Sequence, residues 1–193
     1  MSGHDERDRS DDDLVRRFQE GQDEAFAELM RRHERRVYNL AYRMLGNAEE
    51  ALDAAQETFL SCFRNVVKFR GDSAFSTWLH RIAVNVCYDS LRKRSARPVE
   101  AIRFHEPVPA ADHGDQTAIA VDVQRALLAV SPEFRAVLIL HEIQDVPVEE
   151  IAAALDLPVG TVKSRLHRGR VALGRALAGE PESTRPPSKA GER

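Results

Sequence analysis

The sequence predicts an all-α protein made of two small helical domains joined by a flexible linker. Three observations lead to this prediction. Apolar residues recur at steps of three and four along every long patterned segment, as in amphipathic helices. The pattern fails over about residues 96–116, where Pro98, Pro107, Pro109 and Gly114 interrupt the chain. No segment alternates polar and apolar residues as a half-buried strand would.

Length and composition restrict the class of protein. The 193 residues suffice for one ordinary domain or two small ones, and 42% apolar and 31% charged residues are typical of soluble chains. No apolar run reaches the roughly 18 residues of a membrane span, and the polar residues 1–13 are no signal peptide. We therefore expect a cytoplasmic protein, in which Cys62 and Cys87 are buried thiols; a redox switch is the alternative.

The first block, residues 12–94, contains four predicted helices and follows an acidic segment, residues 1–11, that we expect to be disordered. Each helix has a start or stop signal and one apolar face. The signals are a capping box at Ser10 and Asp13, a stop at Gly46-Asn47, a start near Glu49, and a cap at Asp72 or Ser73. The third helix is predicted to bury Leu52, Ala55, Phe59, Cys62, Phe63 and Val66.

The second block, residues 119–178, follows the linker, residues 95–118, and precedes a polar tail, residues 179–193, that we expect to be disordered. One of its helices should start at Ser131-Pro132-Glu133, with serine as the cap and proline in the first turn.

The end of the second block has the pattern of a helix-turn-helix, with a short helix over 147–155, a turn over 156–158 and a longer helix over 159–177. The longer helix contains five lysines and arginines and no acidic residue. In such a motif the second helix enters the major groove, where Arg and Lys reach guanine edges or phosphates. The alternative is a basic, solvated helix in an ordinary bundle.

Two further patterns are weaker. Lys68, Phe69 and Arg70 precede the fourth helix, and such basic and aromatic groups suit an unstacked base of a single strand. The acidic side chains around Asp53 and Glu57 form either a solvated face or a protein-binding face, and their spacing does not decide between these.

No pattern of an active site is present: the sequence lacks a Gly-rich phosphate loop, HExxH, GxSxG and an EF-hand. The seven histidines are scattered, without metal-ligand spacing. We therefore expect no enzyme activity, cofactor, metal or small-molecule substrate.

Two pairs of segments resemble known sequences. DAAQETFL (residues 53–60) and FRGDSAFSTWLHRIAVN (residues 69–85) resemble region 2 of the extracytoplasmic-function (ECF) sigma factors, the group IV sigma factors of bacterial RNA polymerase. EIA (residues 150–152) and GTVKSR (residues 160–165) resemble region 4 of that family. The resemblance covers about residues 12–94 and 118–178, in the order that the family has.

The resemblance implies a role for each candidate site. Polymerase binding, on the clamp helices of the largest subunit, would fall to Asp53, Gln56, Glu57 and Phe59. Capture of a flipped base and opening of the −10 element would fall to Lys68, Phe69, Arg70, Asp72, Ser73, Thr77, Arg81 and Asn85. Recognition of the −35 element would fall to Thr161, Lys163, Ser164, Arg165, His167 and Arg168. The family often has an aromatic residue at the position of His167. The resemblance therefore does not predict which −35 sequence a histidine at this position prefers.

The resemblance also implies partners: core RNA polymerase, through its clamp helices and flap, promoter DNA, and an anti-sigma factor that holds the protein inactive until a stress response. The linker fits this scheme, because residues 95–118 span about 80 Å when extended and two duplex turns cover roughly 70 Å. The main alternative is a helix-turn-helix regulator without a polymerase role, which would usually dimerise. A helical adaptor protein is a second alternative.

Overall fold

The structure, a computed structural model, describes residues 10–96 and 114–179. Over these residues the regular structure is entirely helical, which confirms the all-α prediction. The helices are α1 (Asp11–Gln19), α2 (Asp23–Leu45), α3 (Ala48–Asn65), α4 (Phe75–Ser95), α5 (Gly114–Ala129), α6 (Pro132–Leu138), α7 (Val148–Leu155) and α8 (Val159–Leu177). A 3₁₀ turn (Val66–Lys68) follows α3, and a π-helical turn (Ile139–Ile143) extends α6.

The predicted cap at Ser10 and the predicted stop at Gly46 both act in the structure. Ser10 caps α1, since its Oγ accepts a hydrogen bond of 3.2 Å from the amide of Asp13. Gly46 ends α2 in the left-handed conformation, at φ 76°, which glycine adopts at little cost. Asn47 then caps α3 through a 2.9 Å bond from the amide of Glu50.

The predicted cap of α4 is wrong. The N-cap is Ala74, and no side chain caps this helix. Asp72 is exposed, and the Ser73 hydroxyl donates to the Ala74 carbonyl at 3.4 Å instead of accepting from an amide of the first turn.

The predicted buried face of α3 is also partly wrong. Leu52 and Phe63 are 52% and 48% exposed, whereas Phe59 and Cys62 are buried. The helix packs on its neighbours through a narrow face of small residues, which leaves Leu52 at the margin. These small buried residues are Ala51, Ala54, Ala55 and Thr58. The half-exposed ring of Phe63 still contacts the rings of Phe18 and Phe26, at centroid distances of 5.4 Å and 5.1 Å.

The second half of the chain contains the predicted helix-turn-helix. Asp156, at φ 53°, ends α7 in the left-handed conformation, and α8 begins three residues later. Helix α5 begins at Gly114, so residues 114–118 of the predicted linker are helical. Ser131 precedes α6 as predicted, but its hydroxyl makes no capping bond.

The two halves of the chain pack against each other. The C-terminal part of α2 contacts α5 and α6, and α4 contacts α7. Arg135 of α6 is 5% exposed and donates from Nη2 to the carbonyls of Leu128, at 2.7 Å, and Val130, at 2.8 Å, and from Nη1 to the carbonyl of Met44. This guanidinium therefore joins the ends of α2 and α5. Most of the predicted N-terminal segment, linker and tail (residues 1–9, 97–113 and 180–193) lies outside the described residues.

Candidate nucleic-acid and protein interfaces

Helix α8 presents one polar and basic face to solvent. Lys163, Ser164, His167 and Arg168 are all exposed, and their spacing of one, four and five residues puts them on a common side of the helix. Thr161 and Arg165 are half-buried at the edge of this face. Four of the predicted −35 residues therefore lie on one exposed surface, as is required of side chains that contact base edges in the major groove.

The opposite side of α8 is held close to the rest of the domain. Val162, Leu166 and Gly169 are buried. A Cβ atom added at Gly169 would lie 2.9 Å from Cγ of Leu138, so the absence of a side chain allows α6 and α8 to approach. This close contact fixes the direction in which the basic face points.

Arg170 lies outside the −35 set, and the structure gives it a separate role. Its Nε and Nη2 atoms donate to Oε1 of Glu142 at 2.9 Å and 2.6 Å. This forked contact ties α8 to the π-helical turn.

The loop before α4 is anchored by a residue that sequence reasoning missed. The Gln19 side-chain amide donates to the carbonyls of Val66 and Phe69, both at 2.9 Å. The loop also needs the left-handed conformation at Gly71, φ 75°. Because Gln19 is 47 and 50 residues from its acceptors, no local pattern indicates this contact.

The predicted −10 residues divide into two groups. Lys68, Arg70, Asp72, Arg81 and Asn85 are exposed on the loop and on α4. The other three are covered to different degrees.

Thr77 is the most buried of these three, at 3% exposure, and its hydroxyl donates to Oε2 of Glu150 in α7 at 3.1 Å. Phe69 and Ser73 are half-buried. The Phe69 ring lies 5.2 Å from the Trp78 ring and 6.2 Å from the Phe75 ring, centroid to centroid. Phe69 therefore extends the aromatic core to the surface and does not stand free in the loop.

Helix α3 presents acidic and apolar side chains side by side. Asp53, Gln56 and Glu57 are exposed, whereas Phe59 is only 8% exposed and supports the helix from the core. A stripe of exposed apolar residues, which we call the α3 stripe, runs beside the carboxylates: Leu52, Leu60, Phe63 and Val67. Adjacent exposed apolar side chains are typical of protein interaction surfaces.

A groove lies between α5, α6 and α8. Phe134, Val171 and Ala172 supply apolar lining, Asp122, Arg125 and Arg175 supply charged lining, and His167 and Arg168 of the −35 set also line it. We call it the α5–α8 groove. Apolar lining with basic neighbours suits an amphipathic helix that has acidic residues.

The two cysteines are buried thiols, as predicted, and both are fully inaccessible. Burial raises the pKa of each to about 12, so both stay protonated near neutral pH. Within residues 10–96 and 114–179, no group of three His, Cys, Asp or Glu side chains is placed to hold a metal ion.

Comparison with known families follows the division into two halves. Residues 29–97 match Sigma-70 region 2, and residues 120–173 match Sigma-70 region 4. The chain is 40% identical over 169 residues to the ECF RNA polymerase sigma factor SigM of Mycobacterium tuberculosis, covering 88% of this chain and 85% of that protein. The chain belongs to the ECF sigma factors.

Other relatives of this sigma factor agree. SigW of Bacillus subtilis is 34% identical over 176 residues, covering 84% of this chain and 94% of SigW. SigE of Mycolicibacterium smegmatis is 42% identical over 157 residues, which span 78% of this chain and 61% of SigE.

Solved structures show the same fold. CnrH, in complex with the cytosolic domain of CnrY, superposes with a TM-score of 0.69 and 25% identity, over 88% of this chain and 97% of that one. The sigma factor RpoE of Bartonella quintana, in complex with the anti-sigma factor NepR, gives 0.65, over 79% of this chain and 96% of that one. No described helix of this sigma factor is long and apolar enough to cross a membrane.

Proposed function

We propose that this sigma factor binds core RNA polymerase and directs it to promoters, reading the −35 element with α8 and opening the −10 element with the loop and first turns of α4. The observation that carries the proposal is the basic face of α8, free of acidic residues, in a chain whose other half has a separate exposed surface of acidic and apolar side chains. A regulator that only binds DNA would not need the second surface.

Helix α3 would dock on the clamp helices of the largest subunit. Asp53, Gln56 and Glu57 supply charge and hydrogen bonds, and the neighbouring α3 stripe supplies apolar area. Burial of such apolar area contributes about 25 cal/mol per Å². Phe59, being buried, would contribute by holding the helix in place.

The α5–α8 groove would hold an acidic, amphipathic segment of the polymerase flap, so that both halves are attached to the enzyme. With the halves attached at separate places, α4 and α8 would face two separated promoter elements. The polymerase carries the catalytic chemistry, and this chain would supply no enzyme activity of its own. Because core polymerase works in the cytoplasm, so would this protein.

In the −10 element, exposed Lys68, Arg70 and Arg81 would neutralise phosphates of the unwound strand. Flipping a base costs a few kcal/mol of stacking, so a binding pocket beside these cations is needed. The loop of residues 69–74 would form this pocket, held in shape by Gln19.

Inhibition by an anti-sigma factor is part of the proposal. It is supported by the similarity to the sigma factor RpoE, which was solved with the anti-sigma factor NepR, and to CnrH, which was solved with the cytosolic domain of CnrY. Such a protein would cover the polymerase-binding or DNA-binding faces.

The proposal is tested by reversing charge on α3. The double variant Asp53→Arg and Glu57→Arg should lose co-elution with core polymerase, because both side chains are exposed and lie off the buried face. A control with Glu34→Arg and Asp89→Arg, two exposed carboxylates elsewhere, should bind as the wild type does.

Circular dichroism should show the same helix content in all three proteins. Discrete transcription starts with wild type and control, and none with the α3 variant, are the expected result. Retained polymerase binding by the α3 variant would refute this interface. Tight binding of DNA by the isolated protein as a dimer, without polymerase binding, would favour the plain helix-turn-helix regulator.

A further inference from the structure

Helix α1 reaches the loop before α4 through its last residue. The side-chain nitrogen of Gln19 carries two hydrogens and has two acceptors, the carbonyls of Val66 and Phe69, each at 2.9 Å. Val66 begins the 3₁₀ turn and Phe69 follows it, and the Phe69 amide donates to the Val66 carbonyl at 3.1 Å. One side chain of α1 therefore holds both ends of the turn from which the loop departs.

The aromatic core sets the position of Gln19. Phe18, the residue before it, is buried, and its ring lies 5.4 Å from the ring of Phe63 in the last turn of α3. This contact places the end of α1 beside the end of α3, within reach of the 3₁₀ turn. Because Leu14 and Val15 are also buried, α1 should stay packed on the core when the Gln19 amide is removed.

The loop has a second anchor in the Phe69 ring, which lies 5.2 Å from the Trp78 ring of α4, centroid to centroid. Phe69 is thus held twice, at its carbonyl by α1 and at its ring by α4. Its neighbours Lys68 and Arg70 are exposed, and neither makes a hydrogen bond or ion pair within the part of the chain that the structure describes. The direction of these two cations therefore depends on how the backbone of Phe69 is held.

Gln19 contributes more to the position of the loop than to the stability of the fold. Its side chain is exposed, so its two hydrogen bonds replace bonds to water and their net contribution to folding is small. When the Gln19 amide is lost, the Val66 carbonyl keeps the Phe69 amide, whereas no other donor among residues 10–96 and 114–179 bonds to the Phe69 carbonyl. The peptide plane after Phe69 can then rotate, which moves the loop of residues 70–74.

We propose that Gln19 determines which bases the loop accepts in the −10 element, as a positioning residue that does not itself contact DNA. The inference rests on the proposed function, because it concerns the loop that would take up the flipped base. Hydrogen bonds to a base weaken steeply when donor and acceptor are misaligned, so base choice requires a loop of fixed geometry. A loop that is already ordered also loses less conformational freedom when the base enters.

The test replaces Gln19 in the full chain. Gln19→Met keeps most of the length of the side chain and removes both donors, and Gln19→Glu puts a carboxylate against the two carbonyls. The matched control is Gln22→Met, because Gln22 is exposed just beyond the same helix and its Oε1 accepts a bond of 2.8 Å from Nε of Arg17, away from the loop. Each net hydrogen bond corresponds to about a two- to tenfold change in an equilibrium, so the loss of two should raise the displaced fraction of the loop at least about fourfold.

Quenching of Trp78 fluorescence by acrylamide reports the position of the loop without polymerase. Trp78 is the one tryptophan of the sequence, and it is half-buried beside the Phe69 ring. Both Gln19 variants should be quenched more strongly than wild type and Gln22→Met, and Gln19→Glu most strongly, at equal helix content by circular dichroism. Equal quenching in all of these proteins would overturn the positioning role.

Transcription with core polymerase tests base choice, with one promoter pool randomised in the −10 element and another in the −35 element. The Gln19 variants should lose several-fold discrimination at one or more −10 positions, while −35 preference and polymerase binding stay as in wild type and control. An unchanged −10 preference, or a loss of activity that is equal for every −10 sequence, would overturn the role in base choice. If wild type selects no promoters with core polymerase, the proposed function fails and the role in base choice with it, but the quenching still decides whether Gln19 holds the loop.

Discussion

Replacement of Arg135 tests how far one buried cation holds the structure together. Arg135→Met keeps most of the side-chain volume but removes every donor to the carbonyls of Met44, Leu128 and Val130. Each buried acceptor left without a partner costs about 1–3 kcal/mol. The gross loss for three carbonyls is therefore about 3–9 kcal/mol.

An opposing term reduces this loss. Burial, reinforced by the nearby Arg94, lowers the pKa of Arg135 to about 10, which corresponds to about 3 kcal/mol against the charged form. Methionine does not have this cost. The difference leaves about 0–6 kcal/mol, and we expect a net decrease in the free energy of unfolding near the middle of that range, about 3 kcal/mol.

Urea unfolding followed by far-UV circular dichroism measures this change. Since Arg135 bonds to both halves, its loss should also separate a single unfolding transition into two. The control is Arg125→Met on α5, whose side chain is 69% exposed and whose ion pair with Asp122 is worth less than about 1 kcal/mol. A single transition within 0.5 kcal/mol of the wild type, taken as about the scatter of a surface substitution, would refute the reasoning.

Three further predictions follow from single residues. Burial, with smaller effects of the charged neighbours on α2, lowers the pKa of His80 to about 4, so the folded chain binds fewer protons than the unfolded chain below about pH 6.5. Stability should therefore fall by about 3 kcal/mol as pH drops from 6.5 to 4, and His80→Gln should flatten this part of the pH profile of urea unfolding. Arg168→Ala should weaken −35 binding in the polymerase complex by about 1–3 kcal/mol if Arg168 contacts a base, whereas Arg170→Ala should change base preference little. Equal effects of the two variants in a promoter competition assay would show that Arg168 does not read a base. Gly169→Ala should lower the thermal midpoint of unfolding by a few degrees. The added Cβ would lie 2.9 Å from Cγ of Leu138, and overpacking by a methyl group costs about 1–3 kcal/mol. An unchanged midpoint would show that the Leu138 side chain moves aside.

Much of the fold could be predicted because its signals are local. Ser10, Gly46 and Asn47 act within one turn of the chain, and the apolar period identifies the buried face of α2. The exposure of Leu52 and Phe63 could not be predicted, because apolar side chains at the margin of a helix face look the same in sequence whether the protein or a partner covers them.

The candidate sites were predictable to a similar degree. The charge of α8 is visible in the sequence, and Lys163 and Arg168 are exposed on that helix, whereas their contact with DNA stays a prediction. The burial of Thr77 depends on Glu150, which is 73 residues away, and no local pattern indicates that contact. The same reason explains why the contribution of Arg135 was missed, since its acceptor at Met44 is 91 residues away.

The contact of Gln19 with the loop also affects the order of events during synthesis. Its acceptors, the carbonyls of Val66 and Phe69, are added to the chain 47 and 50 residues later. At a synthesis rate of about 5–20 residues per second, α1 is complete about 2–10 s before its anchoring site exists. The loop before α4 can therefore take its final shape only after Phe69 has left the ribosome, long after α1 is complete.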